Sequence, residues 1–149
     1  MGIPASMASH PNSIDIHAPL RRVFQYVNEP RTLPDWMIGM KEIRNVVGSG
    51  EGMQYDWTFK MAGIALRGQN VVVEYEENRR AAHQGIGMVH SMWIASVEPI
   101  DKGTRLTIDV EYTIPVFVLG KLAESATVGR NDKDLKRSLA QAQAILESG

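Results

Sequence analysis

A series of alternating segments followed by one long amphipathic helix limits the folds that are open to this chain of 149 residues. Between residues 41 and 114, apolar and polar side chains alternate in consecutive runs separated by turns rich in glycine, asparagine and proline. Alternation with a period of two is typical of strands, and short turns between successive strands favour antiparallel pairing. Residues 53–60 give the clearest case, because large apolar and polar residues alternate there without a break. The sequence therefore predicts an antiparallel meander.

Helical segments flank this meander. Pro19 is predicted to begin a short helix, since proline is tolerated in the first turn, and Pro30 lies at its end. Residues 31–40 are interrupted by proline and are predicted to form a helical turn that acts as a lid over the interior. Residues 120–147 carry apolar side chains at three-, four- and seven-residue steps and are predicted to form one long helix. The fold class is therefore α+β, with an antiparallel sheet against the C-terminal helix. The predicted strands are 13–17, 41–47, 53–60, 64–76, 79–87, 89–98 and 104–114.

Length and composition predict a single globular domain. Apolar residues make up 44% of the chain and charged residues 22%, both of which are ordinary for such a domain. Residues 1–10 lack the charged and apolar regions of a signal peptide. We expect a disordered leader over residues 1–10 and one domain over residues 11–149, while Met7 leaves the true start codon open.

Charge and cysteine content argue against several classes of partner. The net charge is −1, and acidic and basic residues are mixed along the chain without a basic stripe. Nucleic-acid binding is therefore not predicted. The longest uncharged apolar stretch, residues 113–120, is far shorter than the ~20 residues of a membrane-spanning helix. The absence of cysteine suits a reducing compartment, and a cytoplasmic protein is expected. We expect no cofactor, and a monomer or weak dimer.

Small residues in the long helix predict a cavity between helix and sheet. The half that spans residues 122–129 is rich in alanine, serine and glycine, whereas the half from Leu135 to Leu146 has larger apolar residues typical of a core. Either bulky sheet residues fill the gap, or space remains for a guest of roughly 300–1,000 Å³. The segment around Trp36 is the predicted gate. The predicted ligand-binding residues are Trp36, Tyr55, Trp57, Phe59, Trp93, Val110, Tyr112, Leu122, Ala126 and Gly129.

Several segments of the chain carry a family resemblance. Residues 13–19 (SIDIHAP), 23–27 (VFQYV) and 33–37 (LPDWM), with later matches at 50–59 and 111–115, resemble START/Bet v 1-like proteins, and more narrowly the polyketide cyclase/dehydrase family. The resemblance covers residues 11–147. It implies a helix-grip fold, in which a seven-stranded antiparallel sheet wraps a long C-terminal helix and two short helices lie between strands 1 and 2. It also implies a hydrophobic ligand in the cavity, but no catalytic motif spans the family.

The histidines do not predict a metal site. Alternation places His17 opposite its apolar neighbours and His90 opposite Trp93, so both are expected to face solvent. His83 cannot be assigned to a face, because residues 79–87 do not alternate cleanly. Three converging ligands would be needed for a typical metal site, and these positions oppose convergence. No metal is predicted.

Other candidate chemistry is also sparse. Ser91 follows His90 directly and cannot face it on a strand, so a serine triad is not supported. Asp56, Asp109 and Glu111 fall on the polar faces of their strands and are expected to be solvated. No pair of inward carboxylates is therefore predicted for acid–base work.

Three functions are compatible with the sequence, which assigns no catalytic residue. The leading hypothesis is a binding protein for a hydrophobic small molecule, lipid-like or polyaromatic. The second is a polyketide cyclase or dehydratase that holds its substrate in a reactive conformation, with Tyr55 or Tyr112 donating to an enolate. The third is a protein-interaction adaptor that uses apolar residues around Trp36 and Phe117.

Overall fold

Alternating strands and short turns give an architecture in which each strand follows its neighbour along the chain. The computed structural model describes residues 5–8, 11–61, 63–87, 90–114 and 130–149. A short 3₁₀ turn at Pro30–Thr32 joins the first two helices. The elements are β1 (Ala5–Ala8), β2 (Asn12–Ile16), α1 (Leu20–Asn28), α2 (Leu33–Trp36), β3 (Met40–Val47), β4 (Gln54–Met61), β5 (Ile64–Glu76), β6 (Arg80–Gly87), β7 (His90–Ile100), β8 (Gly103–Ile114) and α3 (Arg130–Ser148).

All of the described strands belong to one antiparallel sheet. Its order is β1-β8-β7-β6-β5-β4-β3, and β2 also pairs with β8. Strand β2 pairs with the start of β8, where Ile14 lies opposite Leu106, and β1 pairs with its end, where Met7 lies opposite Tyr112. Strands β1 and β2 therefore lie one after the other along the same edge of β8. Counted across its width, the described sheet is seven strands wide. The predicted helix-grip fold is confirmed.

The helices cover the concave face of the sheet. Pro19 precedes α1, and α1 ends at Asn28 because Glu29, which precedes Pro30, takes an extended backbone. Helix α3 contacts β2, α1 and α2. The core forms where these elements meet, and burial of its apolar side chains stabilises the fold. Its fully or almost fully buried residues include Ile16, Phe24, Trp36, Leu106, Ile108, Leu139, Ala142 and Leu146.

The described structure extends the predicted elements at the N-terminus. Residues Ala5–Ala8, which lie within the expected leader, form β1 and pair with β8 through backbone hydrogen bonds. Such pairing needs no particular side-chain pattern, so alternation gives no sign of it. The first half of the predicted long helix, residues 120–129, lies outside the described residues. Within the part of the chain that the structure describes, no helix is both long and apolar enough to cross a membrane.

Candidate ligand-binding cavity

A cavity of about 160 Å³ lies between the concave face of the sheet and the first described turns of α3. Its volume is below the range predicted from the sequence, and it is comparable to an apolar cavity that accepts one benzene ring. Residues from β4, β5, β7 and β8 form its floor, and the segment after α2 and the start of α3 cover it. The described lining residues are Met37, Ile38, Met40, Trp57, Phe59, Met61, Leu66, Asn70, Ser91, Trp93, Val110, Tyr112, Asp134, Leu135 and Ser138.

Half of the predicted ligand-binding residues meet at this cavity. Trp57, Phe59, Trp93, Val110 and Tyr112 line it, because strand alternation turns all of them to the concave face. Alternation in β4 and β8 is regular enough for Trp57, Phe59, Val110 and Tyr112 to be assigned to a face from the sequence, whereas Trp93 lies on β7. Three further predicted residues, Leu122, Ala126 and Gly129, lie outside the described residues.

Trp36 and Tyr55 are fully buried but are not among the described lining residues. Helix α2 turns Trp36 into the core, where its indole N–H donates to Thr32 Oγ1 at 3.3 Å. The residues that follow, Met37 and Ile38, take the place predicted for Trp36 at the cavity wall. The cover of the cavity is therefore this short segment rather than the tryptophan itself.

Helix α3 is tied to the covering segment by two side chains. Ser138 Oγ accepts a hydrogen bond from the backbone N–H of Ile38 at 2.8 Å and donates to the carbonyl of Asp134 at 2.7 Å. Gln141 Nε2 donates to the carbonyl of Trp36 at 3.0 Å. Leu135 lines the cavity, so the cavity reaches into the half of the helix that was predicted to be ordinary core.

A row of four polar residues, interrupted by one glycine, crosses the floor of the cavity. In the strand register, Tyr55 pairs with Asn70, Asn70 with Gly85, Gly85 with Ser91, and Ser91 with Tyr112. Residues paired in this way share one face of the sheet, so the row runs from β4 to β8 on the concave side. The three members that line the cavity are Asn70, Ser91 and Tyr112.

One end of this row belongs to a buried chain of side-chain hydrogen bonds. Trp57 Nε1–H donates to Asn70 Oδ1 at 2.8 Å, and Asn70 Nδ2–H donates to the hydroxyl oxygen of Tyr55 at 2.9 Å. The hydroxyl of Tyr55 lies 2.9 Å from His83 Nδ1, and His83 Nε2 lies 3.0 Å from Asn28 Oδ1. The amide of Asn28 donates to the Phe24 carbonyl at 3.0 Å, which fixes its orientation.

The directions of these bonds determine the state of His83. Because Asn28 Oδ1 can only accept, His83 carries its proton on Nε2, and its Nδ1 accepts from the Tyr55 hydroxyl. Burial disfavours the charged ring and lowers the pKa of His83 to about 3, so the imidazole is neutral at physiological pH. Burial also raises the pKa of the Tyr55 phenol well above its usual value, so that hydroxyl remains a donor.

His83 is the residue at this site that alternation could not place. Strand β6 buries the consecutive residues 81–83, and the pairing of β5 with β6 shifts register between Val72 and Glu74. The extra residue of this bulge, Val73, lies in β5, so β6 keeps its two-residue period and turns Ala81, His83 and Gly85 to one face. The sequence argument fails because Ala82 is buried on the other face and Gly85 has no side chain, so polarity does not distinguish the two faces of β6. The ring of His83 stacks on Trp93 with centroids 3.8 Å apart and an angle of 12° between planes. His83 thus packs behind one wall of the cavity.

The remaining polar candidates lie away from the cavity. His17 and His90 are exposed, as the alternation predicts. Asp56 is half-buried and accepts hydrogen bonds from Asn45 at 2.8 Å and from Gln69 at 3.3 Å. Among the described residues, no three histidine or carboxylate side chains are grouped as a metal site would need.

Comparison with known proteins now places the chain in a family. Residues 7–147 match the family described as polyketide cyclase / dehydrase and lipid transport. The chain belongs to this family. No curated protein matches the sequence significantly.

Solved structures share the fold at low sequence identity. The di-domain aromatase/cyclase StfQ of the steffimycin biosynthetic pathway superposes with a TM-score of 0.74 and 15% identity over 96% of this chain, which spans 52% of that one. The ZhuI aromatase/cyclase from Streptomyces sp. R1128 superposes with a TM-score of 0.69 and 13% sequence identity, and the match covers 93% of this chain and 94% of that one. A START superfamily protein from Mycobacterium smegmatis superposes with a TM-score of 0.68 and 17% sequence identity, and the match covers 95% of this chain and 98% of that one. Family membership supports a ligand-binding or polyketide cyclase-like function.

Proposed function

We propose that this protein binds a hydrophobic small molecule, lipid-like or aromatic-polyketide-like, in the cavity between the sheet and α3. The observation that carries the proposal is the lining of the cavity, in which the indoles of Trp57 and Trp93 and the ring of Phe59 face several methionines. Aromatic and apolar walls with a few placed polar groups are typical of small-molecule sites. The protein is expected to act in the cytoplasm, as a monomer or weak dimer.

The lining also suits ligands of more than one shape. Met37, Met40 and Met61 contribute to the wall, and methionine side chains adapt their shape at little cost. A cavity of about 160 Å³ accepts a single ring as it stands. A larger ligand would have to displace these methionines or extend past the segment that contains Ile38. The site therefore favours a compact ring system or one end of a longer molecule.

The hydrogen-bond chain supports binding rather than acid–base catalysis at this point of the wall. Tyr55 and His83 are the titratable members of the chain, and neither is among the described lining residues. Asn70 stands between Tyr55 and the cavity, and a carboxamide does not exchange protons readily at neutral pH. The chain can hold a polar group in place, but it does not deliver a proton to a ligand.

The alternative, a polyketide cyclase or dehydratase, is favoured by one observation. Tyr112 and Asp134 both line the cavity, so a phenol and a carboxyl group face the same space. A substrate held between them could receive a hydrogen bond while its conformation is controlled. If the protein is a cyclase, Tyr112→Phe is expected to lower turnover of a poly-β-ketone substrate without weakening its binding; equal turnover would argue against this role.

The adaptor hypothesis receives no such support, because it depends on an accessible Trp36. The side chain of Trp36 is fully buried. Phe117, the other residue named in that hypothesis, lies outside the described residues.

The proposed binding function is tested by titrating the purified protein with palmitic acid, cholesterol and the aromatic polyketide emodin. We expect at least one compound to shift the amide NMR signals of the β4, β7 and β8 residues that line the cavity. Native mass spectrometry of the protein as purified would show a co-purified guest directly. Shifts confined to exposed residues for every compound, together with an empty native spectrum, would contradict the proposal.

A further inference from the structure

The polar row on the cavity floor has a gap at its centre. Gly85 occupies the position between Asn70 and Ser91 in the register of β5, β6 and β7. A Cβ atom at Gly85 would lie 2.7 Å from Asn70 Oδ1 and would overlap Ser91 Oγ. The backbone of Gly85 is not in the left-handed region, so its conformation does not require glycine. The absence of a side chain instead lets the polar atoms of Asn70 and Ser91 approach the same point.

Asn70 is held in one orientation at this point. Its Oδ1 accepts a hydrogen bond from the Trp57 indole N–H, and its Nδ2 donates one to the Tyr55 hydroxyl. If the amide were flipped, its NH₂ group would lie against the indole N–H, and two donors would face each other. Tyr55 is itself fixed by His83, and His83 by Asn28. After these bonds, the amide still has a second hydrogen on Nδ2 and a second lone pair on Oδ1. A ligand oxygen can use this capacity without breaking the chain.

The charge of the lining restricts which oxygen can enter. Among the described lining residues, the single charged side chain is the carboxylate of Asp134, and none is lysine, arginine or histidine. An ionised carboxylate or phosphate would lose its hydration there without gaining a cation, which is costly in an apolar site. A carbonyl or a hydroxyl loses less on desolvation, and one good hydrogen bond offsets much of that loss.

We propose that Asn70 and Ser91 form a hydrogen-bonding site for a neutral oxygen, a carbonyl or phenolic hydroxyl, on a ring-sized apolar ligand. This inference rests on the proposed function and adds to it the chemical class of the ligand. Asn70 and Ser91 contact the oxygen, and Gly85 leaves the space in which they converge. Tyr55 acts as a positioning residue, because it orients Asn70 without lining the cavity.

The test compares three probes of equal ring size: toluene, p-cresol and 4-methylbenzoate. Each is titrated at pH 7 by amide NMR, and the ratio of p-cresol to toluene affinity is determined for each variant. Removal of one hydrogen-bonding partner is expected to lower this ratio about 3- to 10-fold in Ser91→Ala and in Asn70→Leu. Ser96→Ala is the matched control, since Ser96 is on the same strand but on the other face, and its ratio should match the wild type.

Two further variants separate positioning from general damage. Tyr55→Phe and Gly85→Ala are expected to lower the ratio while toluene affinity stays within about 2-fold of wild type, since the apolar wall is retained. A merely structural role for Tyr55 would change the affinity of both probes alike. In the wild type, 4-methylbenzoate is expected to bind at least about 10-fold more weakly than p-cresol.

The outcomes distinguish this inference from the function on which it rests. If none of the three probes binds at the cavity, both fail. If toluene binds there but Ser91→Ala and Asn70→Leu leave the ratio unchanged, the oxygen site is refuted and the binding function stands. The same holds if 4-methylbenzoate binds as tightly as p-cresol. Ser91→Ala decides the question alone if Asn70→Leu fails to fold, because Ser91 is outside the buried chain.

Discussion

Replacing Tyr55 by phenylalanine is the sharpest perturbation of the buried hydrogen-bond chain. The ring of Tyr55 stays in the core, while the hydroxyl that joins β4 to β5 and β6 is lost. His83 Nδ1 is then left without its donor, and Asn70 Nδ2 without its acceptor. Both side chains are buried, so water does not replace the missing hydroxyl without rearrangement.

The magnitude follows from these two orphaned groups. A buried polar group left without a partner costs about 1–3 kcal/mol. Some of this cost is recovered as the side chains adjust, so we expect Tyr55→Phe to lower the free energy of unfolding by about 2–4 kcal/mol. With a urea dependence of about 2 kcal/mol per molar, the midpoint should fall by about 1–2 M.

Urea unfolding followed by tryptophan fluorescence measures this change. Tyr75→Phe is the matched control, because Tyr75 is partly buried, lies outside the chain and keeps its edge-to-face contact with Phe24 at 5.4 Å. Its free energy of unfolding should stay within about 0.5 kcal/mol of wild type. If Tyr55→Phe is no more destabilising than Tyr75→Phe, the hydroxyl does not link the strands as the structure indicates.

Two other predictions concern the pH dependence of stability and the cover of the cavity. Burial lowers the pKa of His83 from 6.5 to about 3, so the unfolded chain takes up a proton first as pH falls. His83 therefore lowers the free energy of unfolding as pH falls below about 6.5, with a slope that approaches about 1.4 kcal/mol per pH unit. We expect His83→Gln to show a smaller difference in unfolding free energy between pH 7 and pH 5 than the wild type. An equal difference in the two proteins would refute this. Ser138→Ala removes the acceptor of the Ile38 N–H, and hydrogen exchange of that amide should accelerate at least about 10-fold, whereas Ser148→Ala should leave it unchanged.

Strand alternation carries most of what the sequence could predict about the site. Trp57, Phe59 and Tyr112 are predictable as ligand-binding residues because β4 and β8 keep a period of two, which turns them to the same face of the sheet. The helix-grip arrangement was predictable for a related reason, since a meander with one apolar face and one long helix has few ways to bury both.

The buried chain could not be predicted by the same argument. Asn70 and Asn28 are ordinarily expected on the surface, and they are buried here because strand and helix pairing supplies their partners. His83 lies on a strand whose two faces do not differ in polarity, since Ala81 and Ala82 are both buried, and its partners come from three different elements. Trp36 was expected at the gate, but the direction of a single helical turn is set by tertiary packing rather than by local sequence.

The central claim, that a ligand occupies the cavity, is tested most directly by filling it. Val110 is half-buried in the cavity wall, whereas Val73 is 41% exposed on another strand, so Val110→Phe and Val73→Phe make a matched pair. The measurement is the affinity of toluene for each folded variant, determined by NMR titration. We predict that wild type and Val73→Phe bind alike and that Val110→Phe binds at least about 10-fold more weakly, because the added ring takes the space of the guest. Equal toluene affinity in a folded Val110→Phe variant, or none in the wild type, would contradict the account.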